Sequence, residues 1–129
     1  MRLFLVMILL CSAAQADPPL SGARFEAHVM GKTLYYKAEG ETYGAEQYLT
    51  DRRVIWAFLG GPCTQGYWYE DAEKICFLYE HAPKDPQCWR FYLRDGVLSA
   101  RFDGELSESL IEIFKSRHPL RCAGPQAGV

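Results

Sequence analysis

The stretch Lys74-Ile75-Cys76-Phe77-Leu78-Tyr79-Glu80, followed by Gln87-Cys88-Trp89-Arg90-Phe91-Tyr92-Leu93-Arg94 and Val97-Leu98-Ser99-Ala100-Arg101-Phe102, decides the fold. Each run is short and rich in aromatic and β-branched residues, as strands are. Ala82-Pro83-Lys84-Asp85-Pro86 breaks the first run from the second, and Asp95-Gly96 joins the second to the third as a tight hairpin turn. No connection is long enough for a parallel crossover, so the strands must pair antiparallel in a meander.

Working outward, the same grammar continues upstream. Thr33 to Lys37, Glu46 to Thr50, Arg53 to Leu59 and Gln65 to Tyr69 read as strands. Asp51-Arg52, Gly60-Gly61-Pro62 and Glu70-Asp71-Ala72 serve as the connections. Before them, Ser21 caps a short helix, Leu20 and Phe25 occupy staple positions, Phe25 and Val29 share a face, and Gly31 stops it. After the last strand, Ser107 reads as a second N-cap, with Leu106 and Ile111 as its staple. Leu110, Ile111, Ile113 and Phe114 then form the apolar face of a C-terminal helix ended by Pro119. The expected fold is mainly β (α+β): an antiparallel meander of about seven strands, forming a curved sheet or small open barrel, flanked by an N-terminal and a C-terminal helix. The run Ile75 to Tyr79 is apolar throughout, which predicts cover on both faces.

The chain has 129 residues, and its first sixteen read as a signal peptide. Arg2 supplies a basic start, Leu3 to Leu10 an apolar run, and Ala14-Gln15-Ala16 a cleavage site before Asp17. Cys11 follows Leu10, a residue too large for the position preceding a lipidated cysteine. Residues 17–129 then form a single secreted β-rich domain, periplasmic or extracellular, with no second apolar segment to hold it in a membrane. Cys63, Cys76, Cys88 and Cys122 remain, an even set for an oxidising compartment. Four cysteines allow three pairings. Cys76 and Cys88 fall near one another across the Ala82–Pro86 hairpin, which favours Cys76–Cys88 with Cys63–Cys122.

A net charge of -2 leaves no footprint for nucleic acid. No C-x-x-C, H-x-x-x-H, H-E-x-x-H, G-x-S-x-G, Walker or dinucleotide motif occurs, so no metal, cofactor or nucleophile is indicated. His28 fits the polar side of the first helix, His81 a turn and His118 a helix end. Glu70, Asp71, Glu73 and Glu80 gather around one hairpin. Paired carboxylates of that kind are the basis of the alternative reading, an envelope-polymer hydrolase.

Aromatic residues are the one group whose pattern offers a binding surface, the alternative being a core with ordinary cross-strand pairs. Strand alternation puts Tyr67 and Tyr69 on one face and Trp68 on the other, so both faces of the sheet carry rings. One set fills the core, and a second faces outward or into an open barrel mouth. Trp56, Trp68 and Trp89, with Tyr48 and Tyr67 beside them, are the candidate binding residues.

Gly31-Lys32-Thr33, Glu46-Gln47-Tyr48-Leu49, Trp56, Gly66-Tyr67-Trp68, Ile75-Cys76-Phe77 and Cys88-Trp89 together resemble an uncharacterised domain-of-unknown-function family of small secreted β-rich proteins of Gram-negative bacteria. That resemblance implies a periplasmic β-rich domain and carries over no catalytic residue. The expectation is a non-enzymatic binding or interaction domain. Its target is an unknown protein partner or a small apolar or sugar ligand, and a lysozyme-inhibitor-like protein is one case of the former.

Overall fold

Local chain chemistry builds one helix and eight strands in the computed structural model, which describes residues 12–103 and 109–124. They are α1 (Gly22–Val29), β1 (Thr33–Ala38), β2 (Glu41–Tyr48), β3 (Arg53–Phe58), β4 (Thr64–Asp71), β5 (Lys74–Tyr79), β6 (Gln87–Arg94), β7 (Val97–Phe102) and β8 (Ser109–Ser116). Residues 1–11, most of the expected signal, lie outside the described residues, as does the expected Ser107 cap. Each strand pairs antiparallel with the next, and β8 returns to pair with β1.

The sheet is therefore a closed barrel of eight strands, not an open one of seven, and the expected C-terminal helix is β8. Leu110 and Glu112 point inward and are buried, whereas Ile111 and Ile113 face outward and are exposed. This period of two was hidden because both faces carry aliphatic residues. As a helix, the segment would leave the edges of β1 and β7 without ladder partners. As a strand, it satisfies both edges and removes them.

The turns follow local rules. Asp95 and Gly96 have φ of 51° and 76°, the doubly left-handed pair that a two-residue hairpin needs. Glu39 and Gly40 repeat the device at 51° and 84°, which starts β2 at Glu41, ahead of the Glu46 that the sequence pattern indicated.

The expected N-terminal helix is present. Ser21 Oγ accepts from the Arg24 amide, and Leu20 and Phe25 are both buried in the core. α1 closes the barrel end where β2, β4 and β6 finish. The Leu20 amide donates to the Phe91 carbonyl, Gly31 donates to Tyr48, and the Gly22 amide donates to Glu70. Phe25, wholly buried, meets Trp68 and Tyr48 edge-on at centroid distances of 5.1 and 5.7 Å and lies 4.6 Å from Phe91.

Both favoured disulfides form, Cys76–Cys88 across β5 and β6 and Cys63–Cys122 between a loop and the C-terminal segment. The second holds Leu120 over Ala45 and Ala57 on the outer wall, where the Leu120 amide also donates to Gln47. Cover for the outer side of β5 comes partly from the Cys76–Cys88 bridge, while Ile75, Phe77 and Tyr79 fill the interior. Replacing Cys76 and Cys88 by alanine is expected to lower the unfolding free energy by about 3 kcal/mol, the loop-closure value for so short a ring. Urea unfolding without reductant checks this. A loss below about 1 kcal/mol would show that the ladder alone already fixes that hairpin.

Candidate binding site

The interior divides into two halves. Around α1 it is filled by Phe25, Trp68, Phe77 and Phe91. At the opposite end, where β3 and β5 finish and β6 and β8 begin, the barrel opens into a cavity of about 70 Å³. Tyr43, Trp56, Phe58, Tyr79, His81, Gln87, Trp89 and Leu110 line it.

This mouth is built by strand parity and one glycine. Gly44 is buried on β2, and the Trp56 indole lies where its side chain would be: a Cβ there would stand 2.7 Å from Trp56 Cζ2 and 2.5 Å from the Ala57 carbonyl oxygen. With that space free, Trp56, Tyr43 and Phe58 pack as a triangle with centroid distances of 5.8, 5.2 and 5.5 Å. Tyr79 stacks on Phe77 on one side and on His81 on the other. Trp89 rests against Phe102 at 4.9 Å. Phe58 is 55% exposed, so the rim itself is apolar.

Tyr79 connects the mouth to a buried polar group. Its hydroxyl donates to both carboxyl oxygens of Glu46, at 2.8 and 3.1 Å. Glu46 is in register with Trp56 across β2 and β3 and is buried. Burial pushes its pKa from 4.5 to about 8, partly offset by the Tyr79 hydrogen bond. Burial also raises the phenols around it: Tyr79, Tyr48 and Tyr36, the last two joined hydroxyl to hydroxyl at 2.8 Å.

The second buried acid, Glu112, is treated differently. His28 Nε2 lies 2.8 Å from it, Lys115 Nζ 3.0 Å and the Leu98 amide 3.1 Å. Burial works to raise its pKa, but these hydrogen bonds together outweigh that and hold it below the ordinary carboxylate value. Glu112 thus pins α1 to β8. Glu46 has no Lys, Arg or His within ion-pair distance among the described residues.

The five candidate residues separate into four places. Trp56 and Trp89 meet at the mouth. Trp68 is at the end closed by α1, with the Arg52 guanidinium 4.4 Å over its ring. Tyr48 is an interior residue bonded to Tyr36. Tyr67, 48% exposed, lies on the outer wall beside Tyr69. An outward platform of all five does not form, because alternation turns the tryptophans and Tyr48 inward. Tyr43, Phe58 and Glu46 are site residues that the sequence pattern did not single out. The parity of β2, with Gly44, Glu46 and Tyr48 all buried, is the signal that carries Glu46, and the shared parity of Trp56 and Phe58 on β3 carries Phe58. Tyr43 falls at the register shift opposite Tyr36 and Lys37, which no single run shows.

Glu70, Asp71 and Glu73 sit at the β4–β5 turn, whereas Glu80 lies beyond the far end of β5, ~20 Å along the strand. Glu70 is engaged by the Gly22 amide and Glu80 by the Gln65 amide. Among the described residues no group of three His, Cys, Asp or Glu side chains is placed to hold a metal ion, and no helix is long and apolar enough to cross a membrane.

Fold and site together define a small up-and-down β-barrel, closed at one end by a helix and open at the other through an aromatic mouth. No protein-family model, curated protein or solved structure matches the chain.

Proposed function

We propose that this protein is a non-enzymatic periplasmic or secreted binding barrel that takes part of its target into the aromatic mouth. The observation that carries the reading is the convergence of Tyr43, Trp56, Phe58, Tyr79 and Trp89 on one cavity. Rings that serve only as core close-pack and leave few voids. Phe25, Phe77 and Phe91 behave that way in the other half, while the mouth keeps its space.

Size narrows the target. A whole drug-sized ligand calls for roughly 300–1,000 Å³. A cavity of about 70 Å³ suits one head group or one side chain of something larger. The two disulfides fit an oxidising compartment. A carboxylate-pair hydrolase draws less support. The hairpin acids are spread over both ends of β5, and Glu46 reaches the mouth only through the Tyr79 hydroxyl.

Native mass spectrometry of protein isolated without reductant from its own compartment tests the reading, with Phe58→Ala as the comparison. Phe58 is a rim residue whose removal should spare the fold. The wild type is expected to carry a bound mass. Taking away one aromatic ring, worth about 0.5–1.5 kcal/mol, corresponds to a roughly two- to tenfold drop in occupancy at limiting ligand. A bare wild type, or a bound mass retained equally by Phe58→Ala, would contradict it.

A further inference from the structure

We infer that the mouth receives an organic ammonium cation, its methylated nitrogen held among the rings of Tyr43, Trp56 and Trp89 and balanced by the Glu46 carboxyl held on the Tyr79 hydroxyl. The inference rests on the mouth being the recognition site and adds the chemistry of what enters it.

Three observations support a cation over a neutral apolar group. First, several electron-rich rings surround one small space, and ring faces attract ammonium groups, tryptophan most strongly. Second, the space matches one compact head. Its volume of about 70 Å³ lies well below the roughly 300–1,000 Å³ of a site that takes a whole drug-sized ligand, so it suits one compact group and not an acyl chain.

Third, a buried carboxyl, Glu46, stands one hydrogen bond behind the lining, held by the hydroxyl of Tyr79. Burying such a group is costly unless it is paired. The same barrel shows how it pairs an acid for structural purposes: Glu112 has His28, Lys115 and a backbone amide. Glu46 has a phenol, and that phenol belongs to a cavity-lining residue. A cation arriving in the mouth favours the ionised form of Glu46 across the Tyr79 hydroxyl. A purely apolar guest offers Glu46 no such gain.

The shared chemistry, a methylated ammonium, is found on free choline-type solutes and on phosphocholine lipid heads. The exposed Phe58 and Leu59 at the rim are placed to touch whatever extends beyond the head.

The test is titration of the full disulfide-bonded protein at pH 8 with choline and with 3,3-dimethylbutan-1-ol, its uncharged carbon isostere. The indole N–H signals of Trp56, Trp68 and Trp89 are followed by NMR. Choline is expected to bind at least tenfold more tightly than the isostere, moving Trp56 and Trp89 and leaving Trp68 in place. Glu46→Gln should remove most of that preference while still admitting the isostere.

Equal affinity for the two compounds at Trp56 and Trp89 would overturn the cation while leaving the mouth as recognition site. Failure of both compounds to move those signals would also overturn it, and the Phe58→Ala comparison then decides the mouth independently. Glu46→Gln retaining the full preference would remove Glu46 from the account. The source is separated by a second arm: flotation with phosphatidylcholine vesicles, lost in Glu46→Gln, identifies a lipid head, and choline binding without flotation identifies a free solute.

Discussion

Phe25→Ala is expected to lower the unfolding free energy by about 3–5 kcal/mol, the range for removing a buried phenylalanine. Phe25 is the point at which the helix enters the barrel. It is wholly buried and reaches Tyr48, Trp68, Phe77 and Phe91, on β2, β4, β5 and β6. An alanine leaves a cavity that these rings cannot collapse into, because their backbones are fixed by closure of the barrel. For a domain of this length the loss corresponds to a fall in Tm of roughly 12–20 °C. Thermal unfolding followed by near-ultraviolet circular dichroism reads it directly, and Phe25→Leu should recover much of the loss. A fall of only a few degrees in Phe25→Ala would mean that α1 contributes little to closing that end.

Glu46→Gln is expected to stabilise the unliganded protein at pH 8 and to do little at pH 4. In the unfolded chain Glu46 ionises near 4.5, while in the barrel it keeps its proton up to about 8. Between those values the folded state holds a proton that the unfolded state has released. Raising the pH therefore favours unfolding. The contribution is complete below pH 4.5, declines across the interval and is gone above 8. At most ~1.4 kcal/mol is lost per pH unit, for a total on the order of 5 kcal/mol. Glutamine does not titrate and still offers Tyr79 an acceptor, so its stability should lack this decline. Denaturant unfolding at pH 4, 6 and 8 compares the two, and parallel pH profiles would contradict a buried, neutral Glu46. A stabilising substitution that also removes cation preference would be the expected trade between stability and a functional group.

The strands were legible because each carries its own signal. Thr33–Ala38, Arg53–Phe58, Lys74–Tyr79, Gln87–Arg94 and Val97–Phe102 are short runs between turn residues, and Asp95-Gly96 fixes its hairpin without outside help. The helix was legible for the same reason, through Ser21, Leu20 and Phe25. The favoured Cys76–Cys88 bridge rests on the hairpin that joins its strands, and Cys63–Cys122 is the pair that remains, although Cys122 follows a strand and not the expected helix.

What escaped the sequence depends on distant partners. β8 is a strand because β1, at the other end of the sheet's chain order, needs an edge partner; Leu110, Ile111, Ile113 and Phe114 alone fit either period. The start of β2 was hidden by polar Glu41 and Thr42 and by Gly44, whose role emerges only once Trp56 lies across it. For the site, the tryptophans were legible as candidates, but their positions were not. Trp56 and Trp89 lie at one end and Trp68 at the other because strand phase and barrel closure, absent from any single run, decide where each points.

That the target is recognised at the mouth, not on the outer wall or at the helix-closed end, is tested most directly by the indole spectrum of the protein as isolated. The comparison is the same sample after its ligand has been stripped by unfolding and refolding with the disulfides intact. Trp56 and Trp89 are predicted to change and Trp68 to stay where it is. A change at Trp68 alone, or one confined to outer-wall amides such as those of Tyr67 and Phe114, would contradict recognition at the mouth.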